Sequence, residues 1–185
     1  MGSFLLIRHA ESPWSEDDMR PLSPAGMRAA EALPAQLHGL RMNAIYSSPY
    51  RRAVQTIEPL ARHRRMAIAQ VPELRERALG AIGDASFMDA VAATWNDFDL
   101  IHPGGESNRV AQERVVGLVG ELARRHASQT IVLATHGNLL ALLLNAFDPS
   151  IDFTFWRGLT LPDVFELRLL SPSEGVVRRV ITEVV

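Results

Sequence analysis

Two residue types are missing from this 185-residue chain: there is no Cys and no Lys, so all 19 basic residues are Arg. Without Cys there is no disulfide, no thiolate metal site and no cysteine nucleophile. Without Lys there is no Schiff-base chemistry, no P-loop lysine and no Lys base. An anion held by this protein must be met by Arg, His, backbone N–H or a metal. Arg suits phosphate and carboxylate, because its planar guanidinium can offer two parallel donors. Long apolar runs are also missing, so no membrane span is expected. The stretch Phe4-Leu5-Leu6-Ile7 is too short for a secretory leader. Gly2 lacks the myristoylation context because position 6 is Leu6. A cytoplasmic location is the expectation.

The remaining composition is ordinary: 47% hydrophobic, 22% charged, net charge −2. One domain over residues 1–185 is expected, and bulk charge gives no sign of nucleic acid. Strand-like and helix-like segments alternate, the pattern of an α/β layered fold. Strands are expected at Phe4–Ile7, Ala44–Tyr46, Ala67–Val71 and Thr130–Ala134. A terminal hairpin is expected from Val164–Leu170 and Val176–Val184. Helices are expected from Ser23-Pro24 to about Leu37, with Pro34 kinking or shortening it, and over Tyr50–His63, with Pro59 a local flaw. Others are expected at Phe87–Trp95, over Glu106–Arg125 with Ser107 as its cap, and from just after Gly137 to Ala146.

Three expected strands end in chemically loaded turns, where α/β sheets place ligands. Leu6-Ile7 runs into Arg8-His9-Ala10-Glu11, and Leu133-Ala134 into Thr135-His136-Gly137-Asn138. A short strand runs into Ser47-Ser48-Pro49-Tyr50-Arg51-Arg52, where Arg opens a helix against the macrodipole. Two His at equivalent ends of parallel strands would share one sheet edge. The charge run Glu73-Leu74-Arg75-Glu76-Arg77 reads on its own as a surface loop. No His-x-His or His-Asp cluster has metal-ligand spacing, so no metal or cofactor is expected. Trp14 and Trp95 could flank the site, with core packing the favoured expectation for each. His38, His63 and His126 fall at helix ends and carry no expected chemistry.

Taken in order, these segments resemble the histidine phosphatase, or phosphoglycerate-mutase-like, superfamily. The resemblance rests on Arg8-His9-Ala10-Glu11-Ser12, Leu22-Ser23-Pro24-Ala25-Gly26, Ser47 to Thr56, Glu73-Leu74-Arg75-Glu76, Gly104-Gly105-Glu106-Ser107 and Thr135-His136-Gly137-Asn138. It implies a three-layer αβα sandwich around a mostly parallel sheet of five or six strands. It also implies a metal-independent phosphatase acting on small phosphorylated metabolites. His9 would be the nucleophile and carry a phosphohistidine; Arg8 and Arg52 would hold the phosphoryl oxygens. His136 would add a donor, and Glu76 would serve as proton donor and then base. Where the family often has Asn, six positions after the nucleophile, this chain has Ser15, expected as a shorter phosphate ligand. Arg51 would be a surface neighbour.

The departures favour a phosphatase over a mutase. Ser12–Pro21 is shorter than the loop mutases use to grip a second phosphate, and their nearby Lys is absent. Met19-Arg20-Pro21-Leu22-Ser23-Pro24-Ala25-Gly26 is similar to the compact branch that dephosphorylates phosphohistidine on proteins. That branch tends to lack the acid, so Glu76 points instead to phosphate esters. Pocket walls are expected from Ser12–Pro21, Ala78–Trp95 and Asp97–Gly105. The oligomeric state is left open.

Overall fold

The structure, a computed structural model, describes residues 2–15 and 17–181. Strand β1, Ser3–Arg8, is buried through Phe4, Leu5, Leu6 and Ile7. An uninterrupted apolar run is what a strand covered on both faces requires. Helix α1, Pro24–Gln36, begins with Pro where no amide hydrogen is needed. The Ser23 hydroxyl accepts from Gly26 N at 3.0 Å and donates to Glu11 Oε1 at 2.7 Å. A Cβ on Gly26 would lie 2.1 Å from the Glu11 carbonyl oxygen, so only Gly fits there. Pro34 lies in the last turn, and the helix runs two residues past it.

Strand β2 is Ala44–Ser47, and helix α2 is Arg51–Arg64. Helix α2 passes through Pro59 without interruption. Strand β3, Ile68–Gln70, is shorter than expected, and a 3-10 turn at Pro72–Leu74 follows. Helix α3 is Phe87–Asn96, and helix α4, Asn108–Arg125, is capped by Ser107 as expected. Strand β4, Thr130–Thr135, leads into helix α5, Gly137–Asn145. The five-residue helix α6, Phe153–Arg157, was not expected, since so short a segment shows no periodicity. Strands β5, Asp163–Leu169, and β6, Gly175–Ile181, form the terminal hairpin. Residues 182–184, which the expected second strand included, lie outside the described residues.

The six strands form one sheet in the order β3-β2-β4-β1-β5-β6. The first four are mutually parallel, and the hairpin adds antiparallel pairings at β5. Alternate residues feed opposite faces. Phe4, Leu6, Ile131, Leu133 and Phe165 join residues of α4 and α5 on one side. Leu5, Ile7, Ile45, Val132 and Val164 meet Leu33, Ile57 and Leu60 of α1 and α2 on the other. This is the expected sandwich of helices around a mostly parallel sheet. Among the described residues no helix is long and apolar enough to cross a membrane.

Candidate active site

Strands β1, β2 and β4 are parallel, so their C-terminal ends share one edge. The register pairs Arg8 with Thr135, which brings the next residues, His9 and His136, side by side. Their rings meet edge to face with centroids 5.2 Å apart. His9 N donates to the Thr135 carbonyl at 2.9 Å, locking this pairing beyond the last strand residue. The backbone of Ala10 donates to Thr56 Oγ1 at 2.9 Å, and that hydroxyl donates to the Arg52 carbonyl at 2.7 Å. Thr56 therefore ties the turn after β1 to the first turn of α2.

The His9 Nδ1 lies 2.7 Å from the Ala10 carbonyl. A carbonyl can only accept, so Nδ1 carries the hydrogen and Nε2 holds the lone pair. Burial lowers the His9 pKa to about 3; the bond to Ala10 works against this, while the Arg52, Arg8 and Arg20 charges add to it. At neutral pH the ring is uncharged, with a nucleophilic nitrogen. His136 is fully buried, and burial again lowers its pKa, aided by His9 and the same three arginines. Its Nε2 is 2.8 Å from Ser48 Oγ, which already accepts from Tyr50 N at 3.2 Å. Ser48 keeps its hydroxyl hydrogen free to donate to Nε2, and that arrangement places the His136 hydrogen on Nδ1. That Nδ1 is buried and without a partner among the described residues.

Three guanidinium groups gather here. Arg8 donates through Nη1 to the carbonyls of Leu159 at 2.8 Å and Thr160 at 3.3 Å. Gly137 lies against its other side: a Cβ there would meet Arg8 Nε at 3.0 Å and Nη2 at 3.1 Å. Arg52 is 3% exposed, stands 4.8 Å from the Tyr50 ring and donates through Nη1 to the Asp18 carbonyl at 3.0 Å. Arg20 is the third. Its charge bears on His9, His136 and Arg52, and its Nη1 holds the Ser15 carbonyl at 2.8 Å. The Nε atoms of Arg8, Arg20 and Arg52 are buried, with no partner among the described residues. Clustered like charges with open donors are costly unless an anion joins them.

Glu76 sits over the N-terminus of α5. Its Oε1 accepts from Arg77 N and Leu139 N, both at 2.9 Å, and Oε2 accepts from Asn138 N at 3.0 Å. The carboxylate satisfies amides that a helix start leaves open. Oε2, with one bond, is the oxygen left to handle a proton. The Glu76 charge bears on Arg8 and Arg52, placing it at the same site. Behind it, Trp95 Nε1 donates to Asn138 Oδ1 at 2.9 Å, and Asn138 Nδ2 donates to Asn108 Oδ1 at 3.2 Å.

The structure therefore gathers Arg8, His9, Arg52, Glu76 and His136. Ser15 meets this cluster through its carbonyl, which takes Arg20 Nη1, while its hydroxyl accepts from Asp17 N at 3.1 Å. Arg51 is exposed and Trp95 buried, as expected. Trp14 is 81% exposed, against the expected core position, because it lies on the loop after β1 rather than in an element. The sequence reading missed Arg20, Ser48 and Thr56 as working parts of the site. Ser48 and Thr56 lie within Ser47–Thr56 and Arg20 within Met19–Gly26, but the resemblance assigns none of the three a role, and an Arg in a loop gives no periodic signal. Arg77 was also missed: it is buried with Nε and Nη1 unpartnered among the described residues, facing Thr94.

A family model described as the histidine phosphatase superfamily, branch 1, matches residues 4–180. The chain belongs to that superfamily. Phosphoserine phosphatase 1 of Hydrogenobacter thermophilus is 27% identical, covering 74% of this chain and 71% of that protein. A 2,3-bisphosphoglycerate-dependent phosphoglycerate mutase of Methylobacterium radiotolerans is 29% identical, covering 94% of this chain and 88% of its own. Among solved structures, Bacillus stearothermophilus YhfR superposes with a TM-score of 0.77 at 25% identity, covering 97% of this chain and 96% of its own. The histidine phosphatase fold expected from the sequence is thus the fold found.

Proposed function

We propose that this histidine phosphatase superfamily member hydrolyses small phosphate monoesters through a phosphohistidine on His9. The observation that carries the reading is the His9 geometry. Nδ1 is committed to the Ala10 carbonyl, and the free Nε2 belongs to a neutral ring beside three guanidinium groups. Charge neutralisation and positioning are the main demands of phosphoryl transfer.

In the first half-reaction the His9 Nε2 lone pair attacks phosphorus. A P–N bond forms, the ester P–O bond breaks, and the leaving oxygen takes a proton from the Glu76 carboxylic acid, the form in which Glu76 enters this step. Arg8, Arg20 and Arg52 meet the non-bridging oxygens, and His136 Nδ1–H adds a donor. In the second half-reaction Glu76, now a carboxylate, takes a proton from water as the water attacks phosphorus. The P–N bond breaks, its electron pair returns to Nε2, and inorganic phosphate leaves.

A mutase reading is favoured by one observation, the coverage of the Methylobacterium relative. The short Ser12–Pro21 loop and the absence of Lys support hydrolysis instead. A panel of phosphorylated metabolites, phosphoserine and 3-phosphoglycerate included, tests the choice. Release of inorganic phosphate is the expected result; isomerised phosphoglycerate without release would overturn it. An acid-labile phosphoenzyme, lost in His9→Ala, tests the intermediate.

A further inference from the structure

Asp163 opens β5 directly opposite Arg8 in the β1–β5 register, and its side chain is fully buried. Its Oδ2 accepts from Thr160 N at 2.9 Å, and its Oδ1 from its neighbour Val164 N at 3.0 Å. Arg179 on β6 closes over the same carboxylate with both Nε, at 2.9 Å, and Nη2. It also reaches the Gly158 carbonyl at 3.5 Å. The segment from Gly158 to Thr160 is thus held at both ends. Its Leu159 and Thr160 carbonyls are the two that take Arg8 Nη1.

Holding Nη1 fixes which edge of the Arg8 guanidinium faces the site. With Nη1 committed and Gly137 against the plane, the Nε and Nη2 edge is left for an anion. That edge makes a bidentate pair with a phosphoryl group, and its direction matters as much as its charge. A buried carboxylate with a fork-shaped partner is a rigid support for such a turn. The Asp163 charge also bears on Arg8 directly.

We propose that Asp163 and Arg179 are positioning residues for Arg8: they fix the Leu159 and Thr160 carbonyls that aim its guanidinium at the phosphoryl group. This rests on the reading of Arg8 as a phosphoryl ligand. The pair touches no substrate and acts only through the turn and Arg8.

A double-mutant cycle tests it, with kcat/KM and competition by inorganic phosphate as readouts. Asp163→Asn and Arg179→Gln should each lower kcat/KM and weaken phosphate competition by about tenfold, as losses of supporting hydrogen bonds do. In an Arg8→Ala background neither should cause a further loss, because a residue acting through Arg8 couples fully to it. Equal losses in both backgrounds, or no loss in the parent, overturn the proposal. If Asp163→Asn does not fold, Arg179→Gln, on the edge strand and only part-buried, carries the test. An Arg8→Ala single variant with unchanged activity and phosphate affinity would sink the reading of Arg8 itself. That outcome is distinguishable from failure of the cycle alone.

Discussion

His9 donates its Nδ1 hydrogen to the carbonyl of the next residue, Ala10, at 2.7 Å. The tautomer of His9 is therefore set by the backbone turn that follows β1, not by a distant carboxylate. Substituting position 10 should matter less than moving its carbonyl.

His9→Ala should lower kcat by at least about a thousandfold, as loss of a nucleophile does. It should also abolish the acid-labile phosphoenzyme while leaving the circular dichroism spectrum unchanged. Labelled phosphate still trapped on the variant would mean another residue carries the group.

Arg20→Gln should reduce kcat/KM by about tenfold to a hundredfold, the range for removing one charged donor from a phosphoryl site. Inorganic phosphate should compete more weakly in the variant. Arg51→Gln, an exposed neighbour on α2, is the comparison and should change either value less than twofold.

Ser15→Ala should leave kcat/KM within about twofold, since the contact Ser15 makes with the arginine cluster runs through its carbonyl, which the substitution keeps. A tenfold fall would restore the expectation that this position reaches the phosphate.

Acid stability follows from the buried imidazoles. His9 has a pKa near 6.5 unfolded and about 3 folded, so between those values the unfolded chain binds more protons. Stability is therefore present above pH 6.5 and is lost as pH falls towards 3, by up to about 1.4 kcal/mol per pH unit for one such group. His136 shifts in the same direction and should add to the slope. Melting temperatures at pH 7 and pH 5 check this: His9→Asn should show a smaller fall between them than the parent. Parallel curves would argue against it.

Gly137→Ala should separate activity from stability. The added methyl would sit 3.0 Å from Arg8 Nε and displace the guanidinium, lowering kcat/KM by about tenfold or more. Thermal stability should change by less than activity does, because the crowded atoms belong to a side chain rather than to the backbone.

How far these features could be read from the sequence follows from the physics of each. Thr130–Thr135 and Phe4–Ile7 declare themselves by composition, since a strand buried on both faces must be apolar throughout. The gathering of His9, Arg8, Arg52, Glu76 and His136 was legible because each lies in a short motif at an element's end. Arg20 was not, because its place depends on how Ser12–Pro21 folds back over Arg52, and no spacing rule encodes that. Trp14 was misplaced for the same reason: a large aromatic in a loop has no periodicity to fix its environment. Helix α6 is five residues long, too few for a 3.6-residue pattern to repeat. Asp163 falls just before the expected hairpin strand Val164–Leu170, and only the β1–β5 register shows that it stands opposite Arg8.

The pairing of β1 with β4 has a further consequence. His9 and His136 lie one step beyond the paired residues Arg8 and Thr135, so their adjacency depends on the parallel register behind them. A slip of one residue between these strands would invert every side chain of one relative to the core. It would also carry one histidine away from the other. If the proposed function holds, phosphate affinity is a readout of strand alignment, and a refolding chain should acquire it only when β1 and β4 have found their native pairing.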